Sequence, residues 1–325
     1  MRISVSGFTL AMATAVSIGV AHADGETIAV FTKNQTNPYF QAVRVGADSA
    51  AKALNAKTLH YIPTKPDSIP EQLSQVEDVV VKKPSAIVFI PVDYKAMVPG
   101  VEKINDANIP MVNVTDRSSG GKFASFVGAD DYSLGLETAR YLLKTLGGKG
   151  KIVILEGVKG SLTNVDRVRG FNDALKENPN AKLVASQPAN YQRLQALQVM
   201  ENLMQSNSEI DGVLAANDAM AVGAIEALDG ANRKAQIIGI NGTKEAVDAI
   251  KTGKLLASGD YNGFMQGCLG TMIAIRTLRK EPTIPEIVLA PTVITKDNYK
   301  PYDVALETRS CPSWEEGSKL GMKKS

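Results

Sequence analysis

Two α/β lobes built on parallel sheets are the fold that the sequence predicts, and three observations predict it. Short β-rich runs alternate with helical patterns through most of the 325 residues. The runs are continuously apolar, as in Ile87-Val88-Phe89-Ile90 and Ile152-Val153-Ile154-Leu155. The chain is also longer than a single hydrophobic core usually serves. Strict alternation of strand and helix implies crossover connections and parallel pairing, and strands covered by helices on both faces need apolar residues on both sides.

The expected strands are Thr27 to Thr32, Thr58 to Ile62, Ala86 to Ile90, Met111 to Val114, Lys151 to Leu155, Lys182 to Ala185, Gly212 to Ala215 and Gln236 to Ile240. Helices fill the gaps. Phe40, Val43, Ala47, Ala50 and Leu54 make one apolar stripe at helical spacing, and Tyr191, Leu194, Leu197, Met200 and Met204 make a second. The alternation breaks near Phe123 to Asp131, where a strand-like run follows a strand directly, so a lobe boundary is expected there. Leu255 to Tyr261 and Ile287 to Ile294 are the expected other crossings of a three-stranded hinge. The resulting lobes are 24–128 plus 262–289 and 129–261 plus 290–300. Residues 301–325 form a tail in which polar residues and prolines surround Trp314.

Arg2, the apolar stretch Phe8 to Val20 and the small-residue pattern Ala21-His22-Ala23 read as a secretory signal peptide over 1–23, leaving a mature chain from Asp24. No later apolar run approaches the roughly 18 to 20 residues needed to span a bilayer. A soluble, exported product is expected.

Composition excludes several classes of function. Lys and Arg number 36 against 34 Asp and Glu, with no basic block, so neither nucleic acid nor an anionic membrane is an expected partner. His60 is the one histidine beyond the leader, and Cys268 and Cys311 are the two cysteines. A zinc site cannot be built from so few ligands, and a Ser-His-Asp arrangement would have to use His60. With no GxGxxG loop or P-loop either, no enzyme, cofactor or metal is expected. An exported compartment permits a Cys268–Cys311 disulfide, contributing on the order of 3 to 4 kcal/mol if unstrained. Two buried thiols are the alternative.

Ligands of parallel α/β sheets bind beyond the carboxyl ends of the strands, and polar residues follow strand after strand here. Lys33 and Asn37 follow the first, Asp93 follows Ile90, Asp116 and Arg117 follow Val114, Asn217 and Asp218 follow Ala215, and Asn241 follows Ile240. Carboxylates accept, guanidinium groups donate in a planar fork and amides do both, a set that suits a polyhydroxyl ligand. Tyr39, Phe40 and Tyr191 could each cover the C–H face of a sugar or simply join the core.

Thr27-Ile28-Ala29 leading to Asn37-Pro38-Tyr39-Phe40, Asn108-Ile109-Pro110 to Asp116-Arg117, and Ser186-Gln187-Pro188-Ala189 occur in one order along the chain. So do Asn217 to Ala224, Gly239 to Thr243 and Gly253-Lys254-Leu255. Together they resemble the ribose-binding type of periplasmic sugar-binding protein, from about Thr27 to about Thr295. The resemblance implies the type I binding-protein fold, no catalysis, a periplasmic location, a monomer and the permease of an ABC transporter as partner. A membrane sensor or chemoreceptor is a second possible partner. It also implies a ligand held by Asn37, Tyr39, Phe40, Asp116 and Arg117 from one lobe and Arg167, Tyr191, Asn217 and Asn241 from the other. Tyr261 would lie at the hinge, and Arg169 is the alternative to Arg167.

Three departures bear on specificity: Lys33 in place of a small polar residue, Asn241 in place of Asp, and Tyr261 in place of Gln. Lys33 with Asn241 is similar to the arrangement in arabinose-binding proteins. A neutral pentose or sugar alcohol is therefore the first expectation. A sugar acid is the second, because Lys33, Arg117 and Arg167 would outnumber Asp116 and Asp93.

Overall fold

The structure is a computed structural model that describes residues 25–321, so the signal-peptide reading lies outside the described residues. It contains two six-stranded sheets. In the first lobe β1 (Thr27–Phe31), α1 (Pro38–Ala53), β2 (Lys57–Tyr61), α2 (Ile69–Lys82), β3 (Ala86–Phe89), α3 (Val98–Asp106) and β4 (Met111–Val114) alternate, and β5 (Ser125–Ala129) follows without a helix. In the second lobe α4 (Asp131–Thr145), β6 (Lys149–Glu156), α5 (Leu162–Lys176), β7 (Asn180–Pro188), α6 (Arg193–Ser206), β8 (Gly212–Ala215), α7 (Asp218–Gly230), β9 (Gln236–Ile240), α8 (Lys244–Thr252) and β10 (Ala257–Gly259) repeat the pattern. The chain then returns to the first lobe through α9 (Gly263–Leu278) and β11 (Glu286–Leu289), and crosses again into β12 (Val293–Thr295).

The sheets have the same order, β2-β1-β3-β4-β5-β11 and β7-β6-β8-β9-β10-β12. All pairs are parallel except β10 with β12. Each order reverses beside its first strand, and polar loops gather at such a switch point. The chain passes between the sheets at Ala129–Asp131, Gly259–Gly263 and Leu289–Val293. The run Ile287 to Ile294, expected as one strand, is two. Pro291 lacks the N–H that a continuous ladder would need, and the halves join different sheets.

Both lobes contain helices in backbone contact. A Cβ on Gly46 of α1 would lie 2.0 Å from the Phe264 carbonyl oxygen of α9, and one on Gly267 of α9 would lie 2.0 Å from that of Val43. Gly135 of α4 and Gly170 of α5 do the same in the second lobe, with a Cβ on Gly135 falling 2.4 Å from the Arg167 carbonyl oxygen. The α1 stripe is buried from Phe40 to Ala50 as expected. On α6 the expected stripe is rotated: Ala196, Met200 and Leu203 are buried, while Leu194 is 65% exposed.

The tail starts beside sheet two and returns to lobe one. Asp303 pairs with Lys251 at 2.7 Å and with Lys244 at 3.3 Å, both on α8. Cys311 is then disulfide-bonded to Cys268 of α9. The short helix α10 (Trp314–Gly317) follows, with the Arg276 guanidinium 4.5 Å from the Trp314 ring.

Candidate functional site

The carboxyl ends of β1, β4, β8 and β9 converge on one cavity of about 490 Å³, counting its mouth. Lys33, Asn37, Tyr39, Phe40 and Asp116 line it from the first lobe, Arg167, Tyr191, Asn217 and Asn241 from the second, and Tyr261 from a crossing segment. Two hydrogen bonds close the lobes over it. The Thr163 hydroxyl at the start of α5 donates to Asp116 Oδ1. Thr36 Oγ1 donates to Gln192 Oε1 at 3.2 Å.

Asn37 caps α1, its Oδ1 accepting from the Tyr39 N–H at 3.0 Å, while Asn34 Oδ1 accepts from the Asn37 N–H at 3.0 Å. The cap turns the following rings inward. Tyr39 and Tyr261 meet with centroids 5.1 Å apart, and the Tyr39 hydroxyl donates to Gln266 Oε1 at 3.0 Å. Lys33 Nζ lies 2.8 Å from Asp116 Oδ2. Burial works to lower the Lys33 pKa, but Asp116, aided by Asp67, holds it above its ordinary value.

Arg167 is the second buried cation. Its Nε donates to Asp131 Oδ1 at 2.8 Å and its Nη1 to the Ala216 carbonyl at 2.7 Å, while its carbon centre lies 4.3 Å from the Tyr261 ring centroid. Its Nη2 is buried without a hydrogen-bond partner. Burial lifts Asp131 to about 7 against the pull of Arg167. Asp131 also accepts from the Tyr261 hydroxyl at 3.0 Å, so the first two crossings both hold Arg167 in place.

Tyr191 sits in the left-handed region at φ 59°, a strained setting for a large side chain. Gly157 makes room for it: a Cβ there would fall 2.0 Å from the ring. The Tyr191 hydroxyl is buried and makes no well-directed hydrogen bond. Asn217 caps α7 through the Met220 N–H at 2.9 Å and donates to the Tyr191 carbonyl at 3.2 Å.

Two expected contacts do not belong to the cavity. Arg117 points away, its guanidinium paired with Glu286 and 3.6 Å from the Phe126 ring. β4 ends in a tight turn, with Thr115 at φ 67° and the Asp116 N–H donating to the Val114 carbonyl at 2.8 Å, and after it Asp116 faces in and Arg117 out. Asp93 turns to its own loop, where Oδ1 accepts from the Lys95 and Ala96 N–H groups at 2.8 and 2.6 Å. Arg169, the alternative to Arg167, is an exposed partner of Asp166. His60 contacts Asp48 at 2.7 Å and does not line the cavity.

Sequence reasoning missed Asn34, Asp67, Thr115, Ser161 and Thr163 in the lining, and Asp131 behind Arg167. Ser161 and Thr163 follow β6, so the strand-end argument could have found them. Among the described residues there is no group of side chains able to hold a metal ion, and no helix is long and apolar enough to cross a membrane.

A family model described as periplasmic binding protein domain matches residues 28–282. The ribose import binding protein of Haemophilus influenzae is 30% identical over 88% of this chain and 98% of its own. The xylitol-binding protein of Mycolicibacterium smegmatis is 30% identical over 94% of this chain and 89% of its own. Among solved structures, an ABC transporter periplasmic solute binding protein from Actinobacillus succinogenes with bound D-allose superposes with a TM-score of 0.81. It is 32% identical and covers 85% of this chain and 100% of that one.

Proposed function

The chain belongs to the family of periplasmic binding protein domains, and from that premise we propose that it is the sugar- or polyol-binding component of an ABC importer. In this reading it is a monomer in the periplasm, not an enzyme. The lobes 24–128 plus 262–289 and 129–261 plus 290–300 close on a ligand, and the closed form docks on the membrane permease.

One observation carries the choice of a neutral ligand: each buried cation already has a buried carboxylate. Lys33 pairs with Asp116 and Arg167 with Asp131. With Arg117 outside the cavity, the positive excess that favoured a sugar acid is gone. A sugar carboxylate would bring a further negative charge to a site whose two cations are already paired and which Asp67 also lines, which costs several kcal/mol when the site is closed to water. A hydroxyl-rich neutral molecule can accept from the unpartnered Arg167 Nη2 and complete the site.

The test is a thermal-shift screen of the mature protein against xylitol, D-ribose, D-allose and D-xylonate. A ligand that binds only the folded state raises the melting temperature, by about 2.7 kcal/mol of stabilisation at 100 times Kd. A shift with at least one neutral compound and none with xylonate is expected. Preference for xylonate would sink the neutral reading.

A further inference from the structure

Most polar groups around the cavity are already used by the protein. Both Asp116 oxygens are taken, one by Lys33 and the other by Thr163. The amide oxygens of Asn37 and Asn217 cap helices, and that of Asn241 lies 3.5 Å from Arg167 Nη1. Asp67 differs. It sits on the loop between β2 and α2 in a left-handed conformation, φ 57°, with its N–H donating to the Lys33 carbonyl at 3.2 Å. Its carboxylate lines the cavity, yet the one hydrogen bond it receives among the described residues is a long one, from Asn34 Nδ2 at 3.5 Å. An ionised carboxylate offers about four acceptor positions, so most of its capacity is unspent.

We propose that Asp67 is a ligand-binding and specificity-determining residue that accepts hydrogen bonds from ligand hydroxyls, with Asn34 holding it in place. It faces the same cavity as Arg167 from the opposite lobe. An acceptor of hydroxyl protons on one wall and a free N–H donor on the other bracket a polyhydroxyl molecule. Asp67 also repels a ligand carboxylate at its end of the cavity. The proposal rests on the cavity being the ligand site.

The experiment is titration calorimetry of wild type, Asp67→Asn, Asp67→Glu and Arg167→Ala, each with xylitol, D-ribose, D-allose and D-xylonate. Circular dichroism melts check the fold of each variant. Asp67→Asn is nearly isosteric and removes the charge. It is expected to weaken the best neutral ligand on the order of 10- to 100-fold and to narrow the gap to xylonate. Asp67→Glu keeps the charge but misplaces it, so neutral affinity falls while rejection of xylonate persists; this variant carries the test if Asp67→Asn does not fold. Arg167→Ala is expected to lose all binding. If it does, but both Asp67 variants bind like wild type, the Asp67 proposal is overturned and the cavity reading stands. Should Arg167→Ala bind normally, or wild type bind none of the four compounds, the cavity reading itself falls and takes the proposal with it.

Discussion

Tyr191 shows what a single side chain costs this protein. Its backbone is held at φ 59° and its hydroxyl is buried with the Ser161 side chain as a poorly directed partner, so the molecule carries both a strained conformation and a weakly met donor. Tyr191→Phe removes that group. It is expected to raise the ligand-free stability by about 1 kcal/mol and to weaken ligand binding, a pair of changes that denaturant melts and calorimetry read separately. Gly157→Ala acts on the same ring from below, where a new Cβ would stand 2.0 Å away. Ligand affinity should fall on the order of tenfold or more as the ring is displaced. Arg117→Ala, by contrast, should leave affinity unchanged, since that guanidinium is spent on Glu286 and Phe126. Loss of binding there would show that Arg117 swings into the cavity.

At the scale of elements, the strands were legible because burial on both faces writes itself as an unbroken apolar run, as Ala86–Phe89 shows with all four residues buried. The edge strand β2 carries little of that signal: in Lys57–Tyr61 only Tyr61 is buried. Its run was recognisable all the same, and Asp67 stayed hidden because it stands further along the following loop rather than directly at the strand end. Residues one position past a well-marked strand were found, but the direction of each side chain was not, because it depends on local backbone such as Thr115 at φ 67°. The rotation of the α6 stripe has a similar origin, since large residues such as Leu194 fit helical spacing without facing the core. The helix pair α1 and α9 carries a prediction of its own. Gly46→Ala or Gly267→Ala forces two backbones apart at a point of direct contact, so each should cost about 1 to 3 kcal/mol or more in a denaturant melt. Both should also weaken ligand binding, because α1 carries Tyr39 and α9 carries Gln266, which share a hydrogen bond.

For the whole molecule, the buried acids set how stability responds to pH. Burial lifts Asp260 to about 7 and Asp218 to about 6. A carboxyl whose folded pKa lies above its unfolded value of about 4 binds its proton more tightly when folded. Its stabilising contribution is complete below about pH 4 and is lost as pH rises through 6 to 7. Asp48, Asp173 and Glu177 have depressed values and work in the opposite sense, losing their contribution as the solution is acidified below about pH 4. The melting temperature is therefore expected to peak near about pH 5 and to decline toward pH 8. Asp260→Asn should flatten that decline, and an unchanged slope would assign it to other groups. The bond from Cys268 to Cys311 has a consequence of another kind, because the 43-residue separation it closes contains the β11–β12 crossing. The two sheets are thus threaded on one covalent ring: out of α9, through both sheets, along the tail and back to α9. A ring once cut is still one piece. Trypsin cleavage after the exposed Lys296 should leave a protein that migrates as one chain without reductant and as two with it.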